Sequence, residues 1–144
     1  MIYDYNMSVL HYVKNGIEFH LQLRPRITIV LGDSGTGKSL LTKLLDDSKE
    51  TSKMIHSKDF NNIVILKDAS NFPKDEEALV VIDDDVVEIN SDIINNIRTS
   101  EKLHFLIFTR VPMDIGLSPN YYGEFKRVGN LVQIYYPFNE RLRF

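Results

Sequence analysis

The sequence predicts an α/β fold with a mostly parallel sheet and an antiparallel hairpin at the front. Three continuous apolar runs, at residues 27–31, 62–66 and 78–82, suit strands that are buried on both faces. Segments with helical spacing alternate with these runs, as they do in a sheet covered by helices on both sides. The length of 144 residues corresponds to a single domain, with residues 1–26 as the hairpin extension and residues 27–144 as the core.

The front hairpin is predicted by an alternating pattern and a turn signal. Apolar and polar side chains alternate over residues 17–23, which is the period of a half-buried strand. Asn15 and Gly16 precede this segment and tolerate the positive φ angles of a tight turn. We therefore expect residues 8–14 and 17–23 to pair in antiparallel orientation.

Two helices are predicted between the strands. The leucines of residues 40–45 stack at i,i+4 spacing, so a helix should begin at Ser39 and fray near Asp47. Asn90 and Ser91 are cap candidates ahead of three isoleucines with helical spacing, which predicts the second helix.

The second half of the chain predicts two more strands and a long loop. Residues 103–110 form another buried run, and residues 130–136 form the last strand. Residues 111–123 are rich in turn-forming residues and predict the loop between them. Residues 47–62 are polar, and their pattern is ambiguous.

The composition excludes several classes of protein. The chain has no cysteine, so disulfides and thiolate metal sites are ruled out and a reducing, cytoplasmic location is expected. No apolar run approaches the roughly 20 residues of a membrane span, and the N-terminus lacks signal-peptide character, so no membrane association is expected. The net charge is −3 and the acidic residues concentrate at 46–92, which leaves nucleic-acid binding only weakly supported, at the basic ends.

The glycine-rich turn after the first buried run carries a phosphate-binding pattern. Gly32-x-x-x-x-Gly37-Lys38-Ser39 follows a predicted strand and opens a predicted helix. Glycines allow backbone N–H groups and the helix N-terminus to point at an anion. Lys38 would reach the β- and γ-phosphates of a nucleoside triphosphate, and the Ser39 hydroxyl would ligate Mg²⁺. The residues predicted to contact the nucleotide are contiguous: Gly32, Asp33, Ser34, Gly35, Thr36, Gly37, Lys38, Ser39 and Leu40.

Three consecutive aspartates follow the apolar run at 78–82. Because the carboxyl ends of parallel strands meet at one edge of a sheet, Asp83 should lie beside the phosphate loop. A carboxylate there can hold Mg²⁺, so Asp83 joins Ser39 as a predicted metal ligand. The alternative is that Asp83, Asp84 and Asp85 merely begin a polar loop.

These two motifs resemble the Walker A and Walker B motifs of P-loop NTPases. The apolar run between the motifs, and the polar residue that ends the next strand, resemble the additional-strand division that includes ABC, AAA+ and RecA-like ATPases. This resemblance covers about residues 27–110. The chain also resembles small bacterial P-loop proteins. The resemblance implies a three-layer P-loop NTPase-like fold that binds ATP with Mg²⁺ and hydrolyses it.

The resemblance implies catalytic roles for four residues. Lys38 contacts the transferring phosphoryl group, and Asp84 holds the position of the acid that polarises the attacking water. Most relatives carry glutamate there, and aspartate is one methylene shorter, which bears on the hydrolysis rate and not on nucleotide binding. Thr109 falls at the polar sensor position. Arg110 follows it and would supply positive charge in its own site or in that of a neighbour.

The chain also departs from those families. It has no LSGGQ-like signature, no helical subdomain between the motifs and no C-terminal helical lid. It lacks the Asn-Lys-x-Asp motif of guanine readers, which favours ATP over GTP. A site this open predicts completion by a second copy of the chain or by a partner protein. Tyr12 is the candidate for stacking on adenine, with a role as an ordinary strand tyrosine as the alternative.

Three functions therefore remain open. The first is an ATP-hydrolysing switch or motor-like module, and the second is a small-molecule kinase, for which residues 111–127 form the only loop long enough to make a lid. The third is a nucleotide-dependent interaction module that does not hydrolyse, which the short acid at Asp84 favours. Aromatic residues interleaved with Lys126 and Arg127 leave base stacking as a further alternative. The four histidines show no metal-ligand spacing.

Overall fold

The structure is a computed structural model that describes residues 8–32, 38–47, 55–73, 77–111, 113 and 122–137 of the chain. These residues contain strands β1 (Ser8–Lys14), β2 (Ile17–Leu23), β3 (Ile27–Leu31), β4 (Ile55–His56), β5 (Asn62–Ile65), β6 (Ala78–Asp83), β7 (His104–Thr109), β8 (Tyr122–Val128) and β9 (Leu131–Tyr135). The helices are α1 (Lys38–Asp47) and α2 (Ser91–Thr99), and a short 3-10 turn spans Ala69–Asn71. All nine strands lie in one sheet, in the order β4-β1-β2-β9-β8-β3-β7-β6-β5.

The predicted three-layer, mostly parallel α/β fold of P-loop NTPase type is wrong. The described part of the chain is mostly β, with nine strands in a mixed sheet and two α-helices of only 10 and 9 residues. Antiparallel pairing is not confined to the front hairpin, because β8 and β9 also pair in antiparallel orientation. Strand β9 then pairs in parallel with β2, so the front and back of the chain join in one sheet.

The prediction failed partly because two strands gave no recognisable pattern. Strand β8 begins at Tyr122 and Gly123, where the turn-forming residues predicted a loop. A Cβ on Gly123 would lie 2.5 Å from Ile134 Cγ2, so this glycine admits the close approach of β9 and does not mark a turn. Strand β4 has only two residues, too few to show a period of two.

The front hairpin has the predicted turn. Asn15 and Gly16 have φ angles of 54° and 79°, the positive values that a tight two-residue turn requires. Strands β1 and β2 pair over their whole length in antiparallel register, with Tyr12 opposite Phe19. This register places alternate side chains of the hairpin on the core.

The buried residues form two apolar clusters on opposite faces of the central strands. Val30 of β3 lies in one cluster together with Leu41 of α1, whereas Ile29 lies in the other together with Ile93 and Ile97 of α2. Neighbouring strand residues point to opposite faces, so each short helix covers one side of β3, β6 and β7.

Helix α2 begins at the predicted cap. Asn90 has extended backbone angles, with φ −93° and ψ −178°, and its Oδ1 accepts the N–H of Ile93 at 3.0 Å. This side-chain contact satisfies one of the backbone donors that a helix N-terminus leaves without a partner. Asn90, and not Ser91, is therefore the N-cap.

We expect Asn90→Ala to lower the free energy of unfolding by about 1 kcal/mol, the usual contribution of an N-cap side chain. Urea denaturation followed by circular dichroism measures this change. Asn90→Ser should keep most of the stability, because serine also caps. Asn95→Ala, at an exposed position of α2, is the matched control and should cost nothing. Equal losses from Asn90→Ala and Asn95→Ala would contradict the capping role.

Candidate functional site

The carboxyl ends of β3, β7 and β6 lie side by side at one edge of the sheet. Strand β3 pairs in parallel with β7, and β7 pairs in parallel with β6. Beyond the strands, the Gly32 N–H donates to the Thr109 carbonyl at 3.2 Å, and the Asp84 N–H donates to the Phe108 carbonyl at 3.0 Å. These bonds bring the start of the predicted phosphate loop, the predicted sensor and the aspartates to the same edge.

The structure describes part of the predicted phosphate loop. Gly32 has a φ of 151°, a value that side chains rarely allow and glycine readily adopts. Leu40 is 43% exposed on the first turn of α1. The backbone of Ser39 lies in α1, but its side chain is outside the described part of the structure. The remaining predicted contacts, Asp33, Ser34, Gly35, Thr36 and Gly37, also lie outside the described residues.

Lys38 is the first residue of α1 and is 5% exposed. Its ammonium donates a hydrogen bond to the carbonyl of Gly32. An ammonium has three N–H donors, and this contact holds the lysine against Gly32 and uses one of the three among the described residues. The backbone of Lys38 has a further contact within α1, because the Thr42 hydroxyl donates to the Lys38 carbonyl at 3.1 Å.

The aspartates after β6 form a compact acidic cluster. One carboxylate oxygen from each of Asp83, Asp84 and Asp85 lies within 4.8 Å of the other two. The chain turns sharply here, because the N–H groups of Val86 and Val87 both donate to the Asp83 carbonyl. The turn gathers three consecutive side chains that an extended strand would have pointed to alternate faces.

Asp83 is the most buried member of the cluster, with 3% of its surface exposed. Its Oδ1 accepts the N–H of Asp85 at 2.9 Å. Its Oδ2 is buried and has no hydrogen-bond partner among the described residues. A buried carboxylate oxygen without a donor is unfavourable unless a cation or a water molecule satisfies it. This oxygen is therefore the part of the cluster that most clearly fits a cation.

Arg110 contacts the acidic cluster of its own chain. Its backbone N–H donates to Asp84 Oδ2 at 2.9 Å, and its guanidinium donates to Asp85. Its Nε lies 3.9 Å from Asp84 Oδ2. The backbone bond orients Asp84, whereas the side-chain ion pair is half exposed and of the kind that contributes little to stability. The guanidinium thus lies against Asp85 and close to Asp84, the predicted catalytic acid.

Thr109 occupies the predicted sensor position at the end of β7 and is 3% exposed. Its hydroxyl donates to the Val111 carbonyl at 3.0 Å. The one hydroxyl proton is therefore used within the turn after β7. A contact from this proton to a phosphate would require the turn to open.

A cavity of about 260 Å³ adjoins the acidic cluster. Its lining combines side chains of α1, the segment after β5 and the turn after β6: Thr42, Lys43, Asp46, Lys67, Asp83, Asp85 and Val86. Lys67 forms an ion pair with Asp46 at the wall of this cavity. Sequence reasoning missed Lys43 and Lys67 as site residues. Lys67 closely follows the apolar run of β5, and the rule that placed Asp83 at this edge would also have placed Lys67 there.

Other candidates lie elsewhere in the sheet. Tyr12 is on β1, four strand positions from β3, and packs against the buried cluster that contains Phe19. The structure thus gives it a core contact and does not bring it to the edge with Lys38. Tyr122 donates to the Met113 carbonyl at 2.7 Å, and the Lys126 ammonium lies 4.5 Å from the centre of the Tyr135 ring. Tyr122 and Lys126 belong to the segment that suggested base stacking, and both therefore have contacts within the chain.

Among the described residues, no helix is long and apolar enough to cross a membrane. No protein-family model, curated protein or solved structure matches the chain.

Proposed function

We propose that the chain binds ATP with Mg²⁺ at the edge formed by β3, β7 and β6, and hydrolyses it as a switch or motor-like module of the cytoplasm. The observation that carries this proposal is the buried Oδ2 of Asp83, which has no hydrogen-bond partner among the described residues and lies at the same strand edge as Lys38. The Asp83 carboxylate favours a cation and the Lys38 ammonium favours an anion. A magnesium-bound triphosphate presents both.

Asp83 and Ser39 are the proposed holders of Mg²⁺. Carboxylate and hydroxyl oxygens are ligands that this ion accepts, and the buried Oδ2 of Asp83 supplies one such oxygen. A bound Mg²⁺ would neutralise charge on the β- and γ-phosphate oxygens. Asp84 and Asp85 are close enough to add negative charge around the ion.

Lys38 binds the phosphates of the nucleotide, and Asp84 accepts a proton from the attacking water. The Lys38 ammonium, held at Gly32, contacts phosphate oxygens in charge-assisted hydrogen bonds. Asp84 is 22% exposed and is oriented by the Arg110 N–H, so its carboxylate can accept a proton from water at the site. Because the Arg110 guanidinium already faces Asp84 and Asp85, we propose that a second copy of the chain or a partner protein completes the site.

A small-molecule kinase is the second candidate, and the cavity favours it. The cavity adjoins Asp83 and Asp85, so a molecule held there would lie next to the proposed metal position. Its lining carries both ammonium groups, from Lys43 and Lys67, and carboxylates, and Lys67 pairs with Asp46, so it suits a polar acceptor. A phosphate-release assay separates the candidates, because a kinase transfers phosphate only when an acceptor is added.

The proposal is tested by calorimetric titration with ATP, in the presence of Mg²⁺ and in the presence of EDTA. We expect the wild-type chain to bind ATP more tightly with Mg²⁺, and Asp83→Asn to lose most of that difference, because the variant removes the charge of the buried ligand. Asp59→Asn is the matched control, since Asp59 is exposed and precedes the amino end of β5, whereas the proposed site lies at the carboxyl ends of β3, β6 and β7. GTP replaces ATP in a parallel titration.

Each outcome of the titration bears on one part of the proposal. Failure of the wild-type chain to bind either nucleotide would overturn the whole of it. Binding that is equally tight with EDTA, or in Asp83→Asn, would refute the metal role of Asp83. Binding without phosphate release would instead indicate an interaction module that does not hydrolyse ATP.

A further inference from the structure

The acidic cluster of Asp83, Asp84 and Asp85 contains two kinds of carboxylate. Asp83 ends β6 and is 3% exposed, and its Oδ2 is buried with no hydrogen-bond partner among the described residues. Asp84 and Asp85 follow in the turn, and their side chains are 22% and 34% exposed. The cluster therefore joins one buried oxygen that lacks a donor to two carboxylates that solvent reaches.

The buried Oδ2 of Asp83 is the observation that points to a cation. The Oδ1 of the same side chain accepts the N–H of Asp85 at 2.9 Å, so the turn satisfies one of the two oxygens. The other oxygen is removed from solvent without a donor, which is unfavourable for a carboxylate. Asp83 also lines the cavity of about 260 Å³, so its carboxylate borders a space that an ion can enter.

Arg110 supplies a cationic group that faces the same cluster. Its guanidinium donates to Asp85, and its Nε lies 3.9 Å from Asp84 Oδ2. The side chain is 54% exposed, so it can turn into solvent without uncovering the apolar core. The backbone N–H of Arg110 donates to Asp84 Oδ2 at 2.9 Å, and this bond does not depend on the position of the side chain. The guanidinium can therefore leave the cluster while the turn keeps its geometry.

A divalent cation and the guanidinium would compete for the same oxygens. Mg²⁺ and Ca²⁺ bind carboxylate oxygens at about 2.0–2.6 Å. An ion that joined Asp83 Oδ2 to Asp84 would thus lie close to the present position of the Arg110 guanidinium, and like charges at such a distance repel each other. The exposed ion pair of Arg110 is of a weak kind, so it is the contact that gives way.

We propose that the acidic cluster binds a divalent cation in the absence of nucleotide, and that this cation takes the place of the Arg110 guanidinium. Asp83 Oδ2 and the Asp84 carboxylate are the ligands, and Asp85 gives up its bond to the guanidinium. The Arg110 side chain turns into solvent in exchange. This exchange rests on the proposed function, in which Asp83 holds Mg²⁺, but it needs no ATP. Arg110 thereby limits the affinity of the empty site for the metal.

An NMR titration of the nucleotide-free chain with MgCl₂ tests the exchange. Two backbone amides are direct reporters, because the Asp85 N–H donates to Asp83 Oδ1 and the Arg110 N–H donates to Asp84 Oδ2. We expect both amide resonances to shift saturably with Mg²⁺, and not with NaCl at the same ionic strength. The amides of Leu10 and Phe19, in the core of the front hairpin, should not move.

Variants assign the roles of the individual residues. Arg110→Gln should lower the dissociation constant for Mg²⁺ by about fivefold, the upper end of the usual effect of an exposed ion pair. Arg98→Gln is the matched control, because Arg98 is exposed near the C-terminus of α2 and its loss changes the net charge equally. Asp83→Asn should abolish the saturable shifts. Equal affinities in the wild-type chain and Arg110→Gln, or equal gains in Arg110→Gln and Arg98→Gln, would refute the exchange.

The Nε–H resonance of Arg110 provides a test on the wild-type chain, which does not depend on the folding of any variant. It should shift with the same dissociation constant as the Asp85 amide, because the guanidinium leaves as the cation arrives. An Nε–H resonance that stays in place while the Asp85 amide shifts would overturn the exchange. The absence of saturable shifts with Mg²⁺ alone would also overturn it, whereas the proposed function fails only if the chain does not bind MgATP.

Discussion

Replacement of Lys38 by alanine is expected to weaken the binding of MgATP by about tenfold to a hundredfold, the range of about 1.5–3 kcal/mol for a hydrogen bond to a charged group. The structure gives a specific reason for this loss. The ammonium is held at the start of the predicted phosphate loop by its bond to the Gly32 carbonyl, beside the proposed phosphate position. Calorimetric titration of the variant measures the change.

The burial of Lys38 calls for two controls. Lys38 is 5% exposed and donates to the Gly32 carbonyl, so alanine also removes packing and a hydrogen bond. Lys38→Met keeps the aliphatic volume and should lose the same affinity with less effect on the melting temperature. Lys102→Ala removes a charge at an exposed site before β7 and should leave binding intact. Wild-type affinity in Lys38→Met would exclude the phosphate-loop interpretation.

Asp84→Asn is expected to keep the affinity for MgATP and to reduce turnover by about two orders of magnitude or more, the usual effect of losing a general base. In the wild-type chain the backbone N–H of Arg110 donates to Asp84 Oδ2 at 2.9 Å. The asparagine oxygen can still accept this N–H, so the turn should keep its geometry. The substitution then removes the proton acceptor and little else. Phosphate release at saturating MgATP measures the effect.

Neighbouring acids provide the comparison for this prediction. Asp85→Asn should have the smaller effect on turnover, because the guanidinium of Arg110 already engages the Asp85 carboxylate. If turnover in Asp84→Asn equals that of the wild-type chain, the catalytic base is elsewhere, with Asp85 or Glu88 as the next candidates. Tighter ATP binding in the slow variant would further show that binding and hydrolysis are separate properties of the site.

Several local features were predictable from the sequence because they depend on neighbouring residues. The apolar runs at 27–31 and 78–82 are strands, the Asn15–Gly16 turn has positive φ angles, and Asn90 caps α2. The proximity of Gly32, Thr109 and the aspartates follows from the rule that parallel strands end at a common edge.

The architecture could not be predicted, because it depends on pairing between distant segments. Strand β9 joins β2 at the Glu18–Leu131 and Phe19–Val132 pairs, and the sequences of the two strands contain no signal for this choice of partner. Gly123 gave a misleading local signal, since its missing side chain serves the contact with Ile134 and not a turn. Hence the fold-class prediction failed although most of the individual strands were placed correctly.

The sequence by itself determined the chemical groups of the candidate site: a glycine-rich turn with Lys38 and three consecutive aspartates at a strand end. Only the tertiary structure decided how these groups are used. It placed the Lys38 ammonium on the Gly32 carbonyl, left Asp83 Oδ2 without a described donor, and turned Arg110 towards Asp84 and Asp85. The physical reason is that hydrogen-bond partners and burial depend on which segments fold next to one another, whereas the chemical nature of a side chain does not.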